Sequence, residues 1–467
     1  MSVPPSIALM AAVVQGLLGN SLAAARFLPA LAGAGTVFFT GAIVREMGGG
    51  RFAQMTACAA VLLSPAFLRS NWLFQPVAFN QFYWVVLAYL VVRYIGVERP
   101  QTFLWIGVVA GLAMLNKYSV LLFLAGIFAG LMATPHRKVF LTRYPYLAAA
   151  IALLIFLPNL IWQAGKGFPL IGHMSELSRT QLVNVEPVGF LLDQLLFHLP
   201  ALLVWVTGLL FLFFAEAGKP FRVLGWNYVT IILALLLLSG KGYYSMGAYP
   251  MLMAAGGVFL ERLSSSANRW LRPAVPALMV SLLLPVLPLS LPILSINSLV
   301  SYCDFLSEKV GISSPMRWED GRIYPLPQDH ADMLGWEELT DIVAGTWRSL
   351  APDEKVECMI YAENYGQAGA IDHLGEAYGL PSPVSFQASY FYWSPDEFDY
   401  RILIYVNREP EEVEQLFNDV REVSRITDEY AREYGLPVYL CKNPKMDLNQ
   451  LWSDIKRREG MERGYLR

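Results

Sequence analysis

The chain has 467 residues, 55% of them hydrophobic and only 16% charged, with a formal net charge of −3. Soluble domains carry about 25% charged residues, so the composition excludes an ordinary soluble protein; no basic stripe, Walker motif or zinc motif points to a nucleic-acid partner. The apolar runs crowd into the first part and the remainder is acidic, which predicts a membrane domain over 1–300 and a water-soluble domain over 301–467.

In chain order, Met1 is followed by Pro4-Pro5 with no charged region and no cleavable signal pattern. Residues 6–18 are too short to cross a bilayer and suit an interfacial helix. Apolar segments of spanning length follow at 23–44, 53–69, 77–95, 102–116, 118–134, 144–163, 190–214, 222–239, 247–262 and 273–297, predicting a polytopic α-helical membrane protein of about ten spans. Alternate loops carry the positive charge: Arg45 and Arg51, then Arg93 and Arg99, then Arg137, Lys138 and Arg143, then Lys219 and Arg222, then Arg262, Arg269 and Arg272. The positive-inside rule makes these loops cytoplasmic. Arg69, Lys117, Lys166 and Lys241 then fall on the opposite side, and the tail from about residue 298 is extracytoplasmic, as expected of a multi-pass protein of the cytoplasmic (inner) membrane. Met1 also falls outside on this count, which an eleventh, upstream helix would relieve.

The tail reads as a small α/β domain. Strands are expected at 356–361, 401–406 and 438–441, and helices at 364–377, 411–419 and 448–457. Cys303, Cys358 and Cys441 allow at most one disulfide there, and no metal-ligand spacing of Cys or His occurs.

The stretch from Lys241 to Pro250 lies between the aliphatic run Val229–Leu238 and the apolar run Met251–Leu260. A lysine flanked by hydrocarbon-length segments is costly unless it reaches water, lipid phosphate or a carboxylate. Tyr243, Tyr244 and Tyr249 add apolar bodies with polar tips. The stretch is therefore either an interfacial anchor among membrane lipids or a cationic seat for an anionic headgroup. Arg26, at the start of the first span, and Lys117, in the turn between the fourth and fifth, lie on the same face as Lys241. A phosphate would explain that concentration; snorkelling explains each cation singly. Asp193 and His198 lie inside the seventh span, five residues apart and so on somewhat different sides of a helix. Asp193 and Glu176, the latter in the loop before that span, are candidate catalytic groups; a structural hydrogen-bonding role fits the Asp193–His198 pair as well.

The order Pro4-Pro5, Asn20 to Pro29 with Arg26, Gly111 to Tyr118 with Lys117, Lys241-x-Tyr243-Tyr244 and Tyr249-Pro250 resembles the C-type glycosyltransferases. More narrowly it is similar to glycosyltransferase family 39, the bacterial relatives of dolichyl-phosphate-mannose protein mannosyltransferases, which include lipid A aminoarabinose transferases. The tail segment Glu363 to Asp372, followed by Gly379-Leu-Pro381, is similar to the periplasmic domain of bacterial members. The resemblance implies transfer of a sugar, with inversion, from a polyprenyl-phosphate donor to a lipid, glycan or protein acceptor outside the membrane. It implies that Arg26, Lys117 and Lys241 bind the carrier phosphate while Tyr243 and Tyr244 shape its entry.

Two departures accompany it. The family's acidic loop, preceded by a membrane helix, lies upstream of the proline pair, so either the gene start is misplaced, which an in-frame segment encoding both ahead of Met1 would establish, or the protein binds the carrier without full catalysis. A further family aspartate corresponds to Asn80, whose amide does not serve as a general base. A non-catalytic polyprenyl-phosphate binder in envelope assembly is the alternative these departures favour. A transporter is disfavoured, because no inverted repeat or paired broken helices are seen. The residues identify no cofactor and leave room for a divalent metal.

Overall fold

The computed structural model describes residues 4–264, 268–463 and 465. They form two compact units, one of Val3–Trp162 with Leu182–Ile293, the other of Gln163–Gln181 with Leu294–Arg467.

The first unit is helical throughout. Its principal helices are α1 (Ser6–Leu18), α2 (Leu22–Glu46), α3 (Arg51–Leu62), α4 (Pro76–Val97), α5 (Thr102–Met114), α6 (Val120–Met132) and α7 (Tyr144–Gly165), the last running on into the second unit. The second unit contributes α8 (Pro169–Thr180), and the helical unit resumes with α9 (Pro187–Leu196), α10 (Leu202–Phe214), α11 (Arg222–Leu237), α12 (Tyr249–Leu263) and α13 (Leu271–Leu283). Four helical stretches among the described residues are long and apolar enough to cross a membrane: Leu22–Glu46, Pro76–Val97, Tyr144–Gly165 and Glu216–Leu237. Two bent pairs raise that to six if each is one span: Val120–Met132 with Pro135–Leu141, at 107°, and Pro187–Leu196 with Leu199–Phe214, at 71°.

Several expected spans are thus interrupted. The 53–69 run breaks between α3 and a short helix at Pro65–Ser70, and the 273–297 run gives α13 and a single turn at Leu287–Ser290. Proline accounts for two of the breaks. Pro65 and Pro200, inside the expected spans 53–69 and 190–214, each sit at the first or second position of a new element, where the missing N–H does no harm, whereas inside a helix it would remove a bond.

The centre of this unit is α12, buried along nearly its whole length. It lies so close to α10 that a Cβ at Gly208 or at Gly256 would overlap the facing backbone carbonyl of Leu252 or Val204. Small residues at such crossings let helix backbones approach where hydrophobic exclusion from water cannot drive association.

The second unit carries α14 (Ile296–Phe305), α15 (Trp336–Arg348), β1 (Cys358–Ala362), α16 (Tyr365–Gly375), β2 (Ile402–Val406), β3 (Phe417–Arg425), β4 (Pro437–Pro444) and α17 (Asn449–Glu462). The sheet order is β1-β2-β4-β3, with β1 parallel to β2 and the other pairs antiparallel. Both faces are covered. Ile360, Ile404, Val438 and Leu440 pack with Leu339 and Val343 of α15 and Ile371 of α16. Met359, Leu403, Tyr405 and Tyr439 face an aromatic layer of Phe386, Phe391, Phe398 and Trp452.

The helix expected at 411–419 is a correction. Only Glu411–Glu414 is helical, and the chain then enters β3. The acidic run suited a helix, but β4 offers an open edge that Phe417 to Arg425 pairs with over most of its length. β3 is otherwise exposed and charged, as an edge strand that resists further pairing should be. Cys303, Cys358 and Cys441 are free thiols. Cys358 and Cys441 face opposite layers of the sheet, which puts a bond between them out of reach.

Candidate functional site

The polar centre of the helical unit is the segment between α11 and α12. Lys241 is extended, and Gly242–Ala248 then winds as a 3₁₀ turn into Tyr249. Gln194 of α9 pins this segment. Its Oε1 accepts from the Ser245 hydroxyl at 2.5 Å and from the Tyr249 hydroxyl at 2.9 Å, and its Nε2 donates to the Gly242 carbonyl at 3.4 Å. The Tyr249 hydroxyl also meets that of Tyr228 at 3.2 Å. Gln194, Ser245 and Tyr249 are all buried, so these bonds hold the loop in one conformation.

So pinned, the loop presents two rings edge to face, Tyr243 and Tyr244, with centroids 4.7 Å apart. The Lys117 ammonium, from the turn between α5 and α6, lies 5.0 Å from the Tyr243 ring and 4.9 Å from the Tyr244 ring. The Lys241 ammonium lies 5.9 Å from the Tyr243 ring. Two cations therefore share one aromatic ring, within cation–π range. Packing around the half-buried Lys117 turn, and secondarily the like charge of Lys241, pull the Lys117 ammonium down to about 8. Lys117 makes no ion pair among the described residues. An anion beside the Lys117 ammonium would favour its charged form.

The proline pair belongs to the same neighbourhood. The Ser6 amide, next after Pro5, donates to the Leu115 carbonyl at 3.1 Å, tying the start of α1 to the turn that carries Lys117. Pro250 opens α12 directly after Tyr249. Asp193 lies against the loop as well: a Cβ at Gly242 would come 2.8 Å from Asp193 Oδ2.

Other expected site residues fall elsewhere. Arg26 is stacked over Trp72, its guanidinium carbon 3.5 Å from the ring centre, and among the described residues no hydrogen bond, ion pair or ring contact links it to Lys117. Asn80 is 5% exposed on α4, and its Oδ1 has no hydrogen-bond partner. One turn away, the Pro76 carbonyl accepts from Asn116 Nδ2 at 3.0 Å. The loop end touches the same face of α4, since a Cβ at Gly247 would press on the Trp84 ring. Asn80 is therefore a neutral group on the helix that backs the loop. Glu176 lies in the second unit, on α8.

Gln194 and Ser245 were not legible as site residues from the sequence. The available signal was weak: one uncharged polar side chain in an apolar run, beside Asp193. His198 is fully buried between the rings of Phe67 and Tyr249, at centroid distances of 5.0 and 4.1 Å, with neither ring nitrogen hydrogen-bonded. Tilted ring contacts rather than an Asp193 partnership place it. No group of three or more His, Cys, Asp or Glu side chains converges for a metal among the described residues.

Residues 2–162 match a family profile described as dolichyl-phosphate-mannose-protein mannosyltransferase. ArnT from Cupriavidus metallidurans, in a crystal structure bound to undecaprenyl phosphate, superposes with a TM-score of 0.59 at 15% identity over 94% of this chain and 88% of that one. The chain is similar to glycosyltransferase family 39 and has the C-type glycosyltransferase fold. The apo form of the same ArnT gives 0.58 at 15% identity over 94% and 87%. The Archaeoglobus fulgidus oligosaccharyltransferase, in a complex with zinc and sulfate, gives 0.50 at 14% identity over 88% of this chain and 60% of that one. No curated protein matches the chain.

Proposed function

We propose that this protein is an integral-membrane glycosyltransferase that moves a sugar from a polyprenyl-phosphate donor to an acceptor on the outer face of the cytoplasmic membrane, with the sheet-bearing unit on that side. The supporting observation is the pair of ammonium groups, Lys117 and Lys241, gathered on Tyr243, with no carboxylate partner for Lys117 among the described residues. A phosphate monoester or diester supplies the missing charge, and its polyprenyl chain suits the apolar helices around it. The undecaprenyl phosphate bound to the similarly folded ArnT supports the same reading.

In this reading the acceptor oxygen attacks the anomeric carbon from the face opposite the phosphate. The new carbon–oxygen bond forms as the bond to the phosphate oxygen breaks, that electron pair leaving with the polyprenyl phosphate and the configuration inverting. Lys117 and Lys241 stabilise the charge that develops on the leaving oxygen. The acceptor's proton needs a base. Asn80 cannot accept it, and Asp193, the carboxylate lying against Gly242, is the candidate within this chain.

The test is binding of undecaprenyl phosphate to the full chain in nanodiscs. Hydrogen bonds to charged groups contribute about 1.5–3 kcal/mol, so Lys241→Ala should weaken binding by roughly ten- to a hundredfold, and Lys241→Arg should retain part of it. Parent-like binding by a well-folded Lys241→Ala protein would refute the phosphate seat and leave interfacial anchoring. Binding with no transfer from any polyprenyl-phosphate sugar would instead support the carrier-binding role that Asn80 favours.

A further inference from the structure

The second unit carries aromatic rings at its surface that none of the carrier chemistry uses. Trp393 is 66% exposed and Tyr365 60% exposed. The half-buried Tyr390 meets Trp393 edge to face, their ring centroids 5.3 Å apart. Large rings left in water cost free energy, and where several gather they mark a surface that another molecule covers.

Two hydrogen bonds bring these rings together by laying the stretch after Val384 alongside α16. At one end the Tyr365 amide donates to Gln387 Oε1 at 3.1 Å; at the other the Tyr390 hydroxyl donates to Asp372 Oδ2 at 3.2 Å. Tyr365, Gly369 and Asp372 recur at spacings of four and three, so they form one stripe of α16. Between the two bonds lies Gly369, where an added Cβ would meet nothing within 4 Å. The stripe is therefore a notch, roughly 10 Å long at the helical rise, with Tyr365 at one end and Asp372, Tyr390 and Trp393 at the other.

The turn that carries the rings is fixed from behind. Ala388 has φ 55°, a left-handed conformation that an L-residue keeps only where its surroundings impose it. The hydroxyl of the buried Tyr465 accepts from the Ala388 amide at 2.9 Å, and the Tyr465 ring packs on the buried Phe391, centroids 5.1 Å apart. With Phe391 anchored inward, Tyr390 and Trp393 on either side of it are held at the surface.

None of Tyr365, Asp372, Gln387, Tyr390 and Trp393 carries a positive charge, so an anion would meet the Asp372 carboxylate with no cation among them to offset it. Among the described residues, Asp372 Oδ1 and Gln387 Nε2 have no hydrogen-bond partner, which leaves one acceptor and one donor at the notch. Apolar ring faces bounded by a carboxylate and an amide match a ligand with C–H groups on its faces and hydroxyls round its rim, as a pyranose has. We propose that the notch binds a neutral oligosaccharide of flat, equatorially linked pyranose rings, stacked on Trp393 and hydrogen-bonded through its hydroxyls to Asp372 and Gln387. That such a chain belongs to the acceptor rests on the transferase reading; the sugar site itself does not.

The test titrates the full chain, in phosphatidylcholine nanodiscs, with chitotetraose, a neutral chain of equatorially linked rings, read by calorimetry. Saturable binding is expected, weakened about tenfold by Trp393→Ala and by a similar factor in Asp372→Asn. Gly369→Leu locates the site: the space beside Gly369 is open and leucine favours a helix more than glycine does. Its unfolding temperature should therefore hold while chitotetraose binding is lost. No saturable binding by the parent would overturn the proposal, as would parent-like binding by Gly369→Leu or Trp393→Ala. Lys241→Ala should bind chitotetraose as the parent does while losing undecaprenyl phosphate, so a failed carrier seat and a failed sugar site read out separately; equal loss of the sugar there would overturn the notch. Tryptophan quenching by brominated phosphatidylcholine that disappears in Trp393→Phe would place this ring in the bilayer interface instead, and would also overturn the proposal.

Discussion

The proposed carrier seat of the helical unit and the notch of the sheet-bearing unit both set charged groups among aromatic rings, yet their electrostatics differ. In the seat, Lys117 and Lys241 lean on aromatic rings, and among the described residues no carboxylate pairs with Lys117. In the notch, the Asp372 carboxylate already accepts from the Tyr390 hydroxyl. A cation such as Lys117, without a carboxylate partner among the described residues, is costly in apolar surroundings until an anion arrives, so a ligand there would be held by charge. A site like the notch discriminates by where donors and acceptors lie. The difference also extends to how each is held. The seat hangs on one buried amide, whereas the notch is built on a helix face.

The comparison breaks most sharply at Gln194. Gln194→Leu leaves the buried Ser245 and Tyr249 hydroxyls without their shared acceptor. Each keeps one other partner, Gly242 or Tyr228, so the expected loss is about 2 kcal/mol. Thermal unfolding of the detergent-solubilised chain should show it, together with weaker undecaprenyl phosphate binding and unaltered chitotetraose binding. Loss of both ligands would mean the two sites are not held independently.

A pH series sharpens the contrast in charge balance. Lys117 stands at about 8 instead of the usual 10.5, through burial and then the Lys241 charge. Its charged form is thus disfavoured in the folded protein. The resulting strain is present below about pH 8 and is relieved as pH rises from there towards 10.5, so stability should increase over that window. Carrier binding has the opposite sign. Undecaprenyl phosphate needs the charged lysine, and its affinity should fall as pH rises through about 8, by up to roughly tenfold. Lys117→Met should abolish that dependence while leaving the notch indifferent to the same change. A flat pH profile in the parent would show that Lys117 does not contribute charge to the seat.

The smallest expected effect lies in a solvent-exposed ion pair of the sheet-bearing unit. Arg432 and Asp332 pair at 3.1 Å with much of each side chain in solvent. Arg432→Gln should cost only about 0.5 kcal/mol, read as a slight fall in the unfolding temperature with both ligand affinities unchanged. A change in carrier binding would couple this surface to the seat.

Periodicity made much of the architecture legible. The aliphatic run 229–238 lies mostly within α11, and the continuous apolar runs near 358, 402 and 438 became β1, β2 and β4, because strands covered on both faces need apolar side chains at nearly every position. β3 was not legible. Phe417 to Arg425 is mostly polar, and its strand conformation comes from a partner edge distant in sequence. The same limit applied to spans, where hydropathy counted apolar length but not the helix breaks at Pro65 and Pro200.

The sequence by itself determined that this is a polytopic chain with a separate α/β unit, and that Lys117, Lys241 and the paired tyrosines are chemically out of place in apolar surroundings. Hydrophobic patterning and the desolvation cost of charge are local properties, written in the residue order. Only the tertiary structure decided that Lys117 and Lys241 meet on one tyrosine ring, that Arg26 stacks on Trp72 instead, and that Gln194 holds the loop between α11 and α12. Those outcomes depend on which helices pack side by side, and a buried amide bonds to whatever polar groups that packing brings within about 3 Å.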